Sequence, residues 1–442
     1  MSALEKRFTS SQIIILGFAA VILFGSLLLM LPFATRDGGG ASFLDALFTS
    51  TSAVCVTGLV VRDTVTYWSG FGQAVILLLI QIGGMGVVTI AVALFLASGR
   101  TISLKQRSTM QEAISAHQVG GIVRLTGFIL KATVLLEGLG AAAMAPVFCR
   151  EFGLYKGIWY AVFHSISAFC NAGFDLMGTR SPYSSLTSFS SQPVINLTIM
   201  LLIVAGGIGF MTWEDVKTNK LKFRRYRMQS KVILVTTGLL ILLPALYLFF
   251  FEFSGLALGE RAWQSLFQAV TPRTAGFNTA DLSKLSEAGL ALIIVLMLIG
   301  GSPGSTAGGM KTTTFAVMLS TAVSVFRRRE HTHFFGRRVA GETIRSAATI
   351  LMLYLVLFLT GGVIISRVEA LPLLDCLFET ASAVGTVGLT LGITPGLGRL
   401  SQGILIFLMY VGRVGGLTLI FSAVSGNAGN TARLPQEKLT VG

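Results

Sequence analysis

The sequence predicts an all-α membrane protein: four tandem repeats of helix, pore loop and helix, giving eight transmembrane helices and four re-entrant half-helices around a pseudo-four-fold pore. Three observations carry that expectation. They are an apolar composition broken into span-length runs, a one-sided distribution of charge, and a motif that returns four times.

The 442 residues are 53% hydrophobic and only 12% charged, with mean hydropathy +0.75. Soluble domains carry about a quarter charged residues, so an ordinary soluble core is excluded. Apolar runs recur at 12–34, 73–98, 190–213, 232–251, 346–366 and 401–424. Each reaches the roughly 20 residues a helix needs to cross about 30 Å of hydrocarbon. Two further spans are less clean: 125–149 carries Lys131 and Glu137, and 288–326 is interrupted by glycine and proline. Lys131 and Glu137 are six residues apart and do not face each other along a helix, so no role follows for them. Eight spans put both termini on one side.

Charge identifies that side. Segments sharing the termini's side hold 21 Lys and Arg against 7 Asp and Glu, and the opposite segments hold 10 against 12. Basic residues stay cytoplasmic, so both termini are expected there. The same asymmetry explains a pI near 10 without nucleic acid. The basic loops, with Arg224, Arg225, Arg327, Arg328 and Arg329, are expected to meet lipid headgroups or a docked cytoplasmic partner. Cys55, Cys149, Cys170 and Cys376 show no CxxC spacing, and read as packing residues.

The recurring motif is ALFTSTSAVCVTGL (46–59), AVFHSISAFCNAGF (161–174), SLFQAVTPRTAGF (265–277) and CLFETASAVGTVGL (376–389). From its phenylalanine to its last glycine the distance is 10, 10, 9 and 10 residues. A second glycine motif follows within the next apolar run: QIGGMG, VAGGIG, LIGGSPG and YVGRVGG. The repeats therefore cover about 11–98, 121–216, 228–326 and 343–426, with a cytoplasmic tail at 427–442. The apolar stretches before the turns run only 10 to 14 residues, too short to cross and so re-entrant. Non-helical backbone at membrane depth must line a water-filled path or be buried in protein, and four copies can do so around one axis.

Each half-helix ends in a short turn: Val56, Thr57, Gly58; Asn171, Ala172, Gly173; Thr274, Ala275, Gly276; Thr386, Val387, Gly388. Glycine adopts φ > 0 without steric cost, which lets successive carbonyls point at an axis. Four such loops replace a cation's hydration shell, and four helix C-termini favour positive charge. The turns hold no carboxylate, which points to a monovalent, easily dehydrated ion, potassium first.

This constellation resembles the Trk/Ktr/HKT superfamily of potassium transporters over nearly the whole chain, most closely its Ktr-type (KtrB) membrane subunits. The resemblance implies that Gly58, Gly173, Gly276 and Gly388 are the four filter glycines, and that Gly58 goes with potassium preference. Only TVG at 386–388 matches the start of the potassium-channel TVGYG, and the second glycine is absent throughout, so a filter with fewer sites is expected. The resemblance further implies a bacterial cytoplasmic (inner) membrane location, a homodimer, and a separate cytoplasmic RCK-type nucleotide-binding ring (KtrA-like). Sodium as an activator is a feature of such systems, though no sodium site follows from these residues.

The interruption of the sixth span comprises Gly300, Gly301, Ser302, Pro303, Gly304, Ser305, Thr306, Ala307, Gly308 and Gly309, followed by Lys311. Pro303 removes a backbone donor, and each glycine disfavours helix by about 1 kcal/mol. Such a segment is expected in the cavity; the resemblance implies a loop that obstructs the pore and moves during gating. Aligning the second glycine motif puts Arg413 where the other repeats carry Gly84, Gly207 and Gly301. A mid-membrane arginine should face a water-filled cavity. GSTAGGMKT only imitates a phosphate loop, because Lys311 falls one residue late and no strand precedes it.

Other classes fare worse. An alternating-access secondary transporter usually shows inverted repeats and broken helices in matching halves, whereas these repeats run one way and one inner helix alone is expected to break. No HExxH motif or carboxylate pair suggests an enzyme. No strand precedes a GxGxxG, so no cofactor is expected in this chain and regulation is assigned to a partner.

Overall fold

The computed structural model describes residues 9–91, 104–114, 121–220 and 222–416. The segments 92–98 and 417–426 of the expected repeats, and the tail at 427–442, lie outside the described residues. Within them the chain is mostly helical. Its one sheet among these residues is a hairpin pairing His333–Phe334 with Arg337–Arg338.

Four outer helices, Ser10–Leu29, Ile122–Phe152, Met228–Tyr247 and Gly341–Glu369, open the four repeats. The third continues through a π turn to Glu252. Among the described residues these four are the unbroken helices long and apolar enough to cross a membrane. They turn apolar side chains outward, among them Phe24, Leu27, Val134, Leu135, Leu242, Leu243, Met352 and Val363. Exposed apolar surface on this scale belongs against lipid. The first helix begins where it does because Thr9 and Gln12 form a reciprocal capping box.

The short helices expected from the sequence to be pore helices, and called so below, are Phe43–Val54, Leu154–Phe169, Leu258–Val270 and Leu373–Gly385, of 12, 16, 13 and 13 residues. The second is longer than expected. Three of them are stapled to their own outer helix by a buried hydroxyl. Ser50 Oγ donates to Ile22 O at 2.7 Å, Ser165 Oγ to Glu137 O at 2.6 Å, and Thr380 Oγ1 to Phe358 O at 3.1 Å. The third repeat has Ala269 at that place and no staple.

The inner helices are Gly70–Met85, Pro193–Gly207, Glu287–Leu298 and Arg399–Val414. The expectation of a single broken inner helix is corrected here, because all four break. Gly86 and Gly209, the last glycines of their motifs, and Gly415, the last but one of its own, take φ of 85°, 89° and 90°, outside any helix. In the second repeat the continuation Phe210–Asn219 leaves at 97°. In the third the break is a whole segment, 299–311, before helix Thr312–Phe326 resumes.

The first glycine of each motif has a packing reason. A Cβ at Gly83, Gly206 or Gly412 would stand 2.0, 2.0 or 2.2 Å from the carbonyl oxygen of Val54, Phe169 or Val384. Those carbonyls close the pore helices, so only glycine lets the inner helix pass beneath. Gly300 of the third repeat meets Gly308 O and Met310 O of its own loop instead.

Candidate ion-conduction site

The structure brings the four turns together in a closed ring. A Cβ built on Gly58 would lie 2.5 Å from Ala172 O, and one on Gly173 would lie 2.7 Å from Ala275 O. One on Gly276 would lie 2.3 Å from Val387 O, and one on Gly388 would lie 2.1 Å from Thr57 O. Each glycine thus abuts the middle carbonyl of the next turn, in chain order, and the last returns to the first. Among the described residues no hydrogen bond is donated to these four carbonyl oxygens. They are free to bind something else.

Backbone conformation explains the arrangement. The glycines have φ of 91°, 68°, 79° and 94°. The first residue of every triplet is left-handed as well: Val56, Asn171, Thr274 and Thr386 have φ of 50°, 57°, 69° and 51°. Sequence reasoning named only the glycines. A left-handed non-glycine costs on the order of 1 kcal/mol and persists where its surroundings enforce it. Here the carbonyl of Ser52, Ser167, Thr271 or Ser382 does so, accepting the N–H of Thr57, Ala172, Ala275 or Val387 at 2.8–2.9 Å. Asn171 and Thr274 also bond side chain to side chain at 3.3 Å, joining two neighbouring turns.

Above the ring lies a cavity of about 100 Å³ lined by all four glycines together with Asp63, Asp175, Asn278 and Thr390. Neither carboxylate was expected from the sequence, since a lone Asp after a turn carries no pattern. Asp63 is held by the N–H groups of Val65, Thr66 and Tyr183 at 3.2, 2.9 and 2.9 Å. Among the described residues Asp175 accepts only Met177 N–H, at 2.8 Å. Burial pushes its carboxyl up to about 7, with Asp63 adding in the same direction.

Beneath the ring sits the segment 299–311. It crosses between repeats by bonding carbonyls that broken inner helices leave unpaired. Ser302 N–H and Thr306 N–H donate to Gly207 O and Gly206 O at 3.0 and 3.2 Å, and Gly309 N–H donates to Gly412 O at 3.1 Å. Thr306 Oγ1 donates to Phe169 O at 3.0 Å. Gly308 lies so close under Thr386 that a Cβ there would be 2.2 Å from its Oγ1. Lys311 Nζ donates back to Ala307 O at 2.9 Å.

Arg413 reaches this segment directly. Its guanidinium donates to Thr306 O, to Gly83 O, and to Gly84 O at 3.1 Å. It therefore ties the loop of the third repeat to the inner helix of the first. Arg413, Lys311, Gly304, Ser305, Ala307 and Gly309 line one cavity of about 290 Å³, with Glu112 also on its wall. Among the described residues neither Arg413 nor Lys311 makes an ion pair.

The remaining singled-out residues lie elsewhere. Lys131 is exposed, whereas Glu137 is buried with Gln81 Nε2 3.4 Å from its carboxylate, so the two are not partners. The four cysteines are free. Arg224, Arg225, Arg327, Arg328 and Arg329 are exposed.

Comparison with known proteins places the chain in a family. The family model described as TrkH, cation transport protein, matches residues 8–430. The potassium/sodium uptake protein NtpJ of Enterococcus hirae is 39% identical, over 99% of this chain and 98% of its own length. The Ktr system potassium uptake protein B of Bacillus subtilis is 38% identical over 99% and 97%. In fold the chain is similar to the crystal structure of the potassium transporter TrkH from Vibrio parahaemolyticus, with TM-score 0.73, 20% identity and coverage of 94% and 84%. A family model that spans all four turns, and relatives matching end to end, lead to one conclusion: this chain belongs to the TrkH family of cation transport proteins.

Proposed function

We propose that the protein takes up potassium across the bacterial cytoplasmic membrane, through a pore whose filter is the ring of Gly58, Gly173, Gly276 and Gly388. The observation that carries this reading is the closed ring of four middle carbonyls, unbonded by protein and each against the next glycine. A potassium ion that loses water there regains oxygen ligands from the backbone. The names of the relatives that match end to end, a potassium/sodium and a potassium uptake protein, point the same way. Asp63 and Asp175 raise the cation concentration at the outer mouth.

In this reading the four repeats are eight spans with cytoplasmic termini, and the segment 299–311 is the gate. Arg413 latches that gate closed, and Lys311 adds to the electrostatic barrier. Control comes from a separate cytoplasmic nucleotide-binding ring acting on a homodimer, with the exposed arginines at 224–225 and 327–329 as its docking face. A separate subunit is consistent with relatives named as components of a Ktr system.

Uptake of potassium, rubidium and sodium in a potassium-transport-deficient bacterium tests the function. The wild type should restore growth at low potassium, and Gly58→Ser, Gly173→Ser, Gly276→Ser and Gly388→Ser should each lower potassium preference over sodium. A side chain at these φ values, 2.1–2.7 Å from a neighbouring carbonyl, must displace it. Wild-type selectivity in all four variants would refute the filter.

A further inference from the structure

Four buried hydroxyls stand behind the filter at one place in the repeat: Ser52, Ser167, Thr271 and Ser382, each fully shielded from solvent. Each carbonyl holds the middle residue of its own turn, as described above. Their hydroxyls do two different things. Ser52 Oγ and Ser382 Oγ accept the N–H of Gly58 and Gly388, at 3.0 and 2.9 Å. Ser167 Oγ and Thr271 Oγ1 donate instead to the carbonyls one residue further on, Phe174 O at 2.7 Å and Phe277 O at 2.5 Å.

Resting on the filter reading, we infer that these four residues are positioning residues that divide the outer end of the filter into two unlike halves. In the second and third repeats the Phe174 and Phe277 oxygens are drawn back toward the pore helix and away from the axis. In the first and fourth, the hydroxyl is engaged by a glycine N–H, and the equivalent Leu59 and Leu389 carbonyls accept no hydrogen bond among the described residues. The outermost site then offers two carbonyls from adjacent repeats rather than four. A cation entering there keeps water on the side of the second and third repeats, where Asp175 follows Phe174. The middle carbonyls below remain four-fold, so dehydration is completed one level deeper.

The two kinds of hydroxyl should answer oppositely to removal. Ser167→Ala and Thr271→Val release a carbonyl to the pore and should lower the potassium KM roughly two- to tenfold, the range expected for one hydrogen bond. Ser52→Ala and Ser382→Ala leave a filter N–H unpaired and should raise the potassium KM and lower the potassium-to-sodium ratio by a similar factor. Ser52→Thr and Thr271→Ser keep the hydroxyl and should keep wild-type values. Uptake kinetics would be normalised to protein in the membrane, and either member of each pair suffices if the other fails to accumulate. Shifts of one sign in both pairs, or none while Gly58→Ser and Gly388→Ser do lose selectivity, would overturn this inference alone. Unchanged selectivity in the glycine variants too would overturn the filter reading beneath it.

Discussion

The second and third repeats share one plan and are fastened differently. In the second, Ser165 staples the pore helix to its outer helix, and Gly206 lets the inner helix pass directly under Phe169 O. In the third, Ala269 offers no staple, the turn is one residue shorter with Pro272 before it, and Gly300 packs against its own loop. Gln268 of the third repeat is fully buried with neither side-chain amide atom paired, whereas His164, at the matching place in the second, accepts Leu176 N–H at 3.3 Å. In the staple and the inner-helix glycine the first and fourth repeats side with the second, although Thr49 of the first, at the place of Gln268, is also buried with its hydroxyl unpaired. On the proposed reading, the difference teaches how a filter and a gate can share one chain. Three repeats fasten their pore helices to their own outer helices, while the third lacks that bond and supplies a segment bonded both within itself and to its neighbours.

The comparison breaks most visibly at the inner-helix glycines. Gly206→Ala would drive a methyl into Phe169 O at 2.0 Å, a backbone atom between two packed helices, and should abolish uptake or accumulation in the membrane. Gly300→Ala meets Gly308 O at 2.4 Å, in its own loop rather than in a packed helix, and on the proposed gate reading should accumulate normally with altered flux. Immunoblots of membrane fractions beside uptake rates separate the two. Equal failure of both would erase the distinction between repeats.

A second, several-fold effect concerns the outer mouth. The Asp175 carboxyl, raised to about 7 by burial, is neutral below that pH and charged above it. Cation attraction should therefore strengthen as external pH rises through about 7, seen as a falling potassium KM. Asp175→Asn should flatten that profile at the high-KM end. A profile unchanged by the substitution removes Asp175 from the conduction path.

The smallest effect sharpens the comparison instead. Ser165→Ala removes a buried donor and leaves Glu137 O without it, which should cost about 1 kcal/mol and lower the detergent-solubilised melting temperature by about 2 °C. Ala269→Ser in the third repeat should not lower it, because that pore helix stands without a staple already. An equal loss in both would mean that the staples do not distinguish the repeats.

Much of this was legible in the sequence. Spacing alone aligned the four turns, and the substitution of Arg413 into a glycine column singled out the residue that now ties loop to helix. The breaks at Gly86, Gly209 and Gly415 were not legible. A glycine in a long apolar run costs helix only about 1 kcal/mol, so burial usually decides, and nothing local marks which glycine turns left-handed. The hydroxyl staples were hidden for a related reason. Serine and threonine within a short helix look ordinary until the facing outer helix shows a carbonyl at bonding distance. Asp63 and Asp175 were missed because they converge only through folding, from two different repeats.

The central claim, that the third repeat supplies a plug latched by Arg413, is tested most directly by potassium flux into proteoliposomes. Three variants would be compared with wild type: deletion of 302–306, Arg413→Ala, and both together. Arg413 donates to carbonyls of the loop and of the first repeat, so its loss frees Thr306, Gly83 and Gly84 and removes a positive charge from the path. The account predicts higher flux in each single variant, by roughly tenfold for a change of about 1.4 kcal/mol in the barrier. It also predicts a double variant well short of the product of the two, since loop and arginine form one barrier. Correctly inserted protein with wild-type flux after Arg413→Ala, or with multiplicative effects in the double variant, would contradict it.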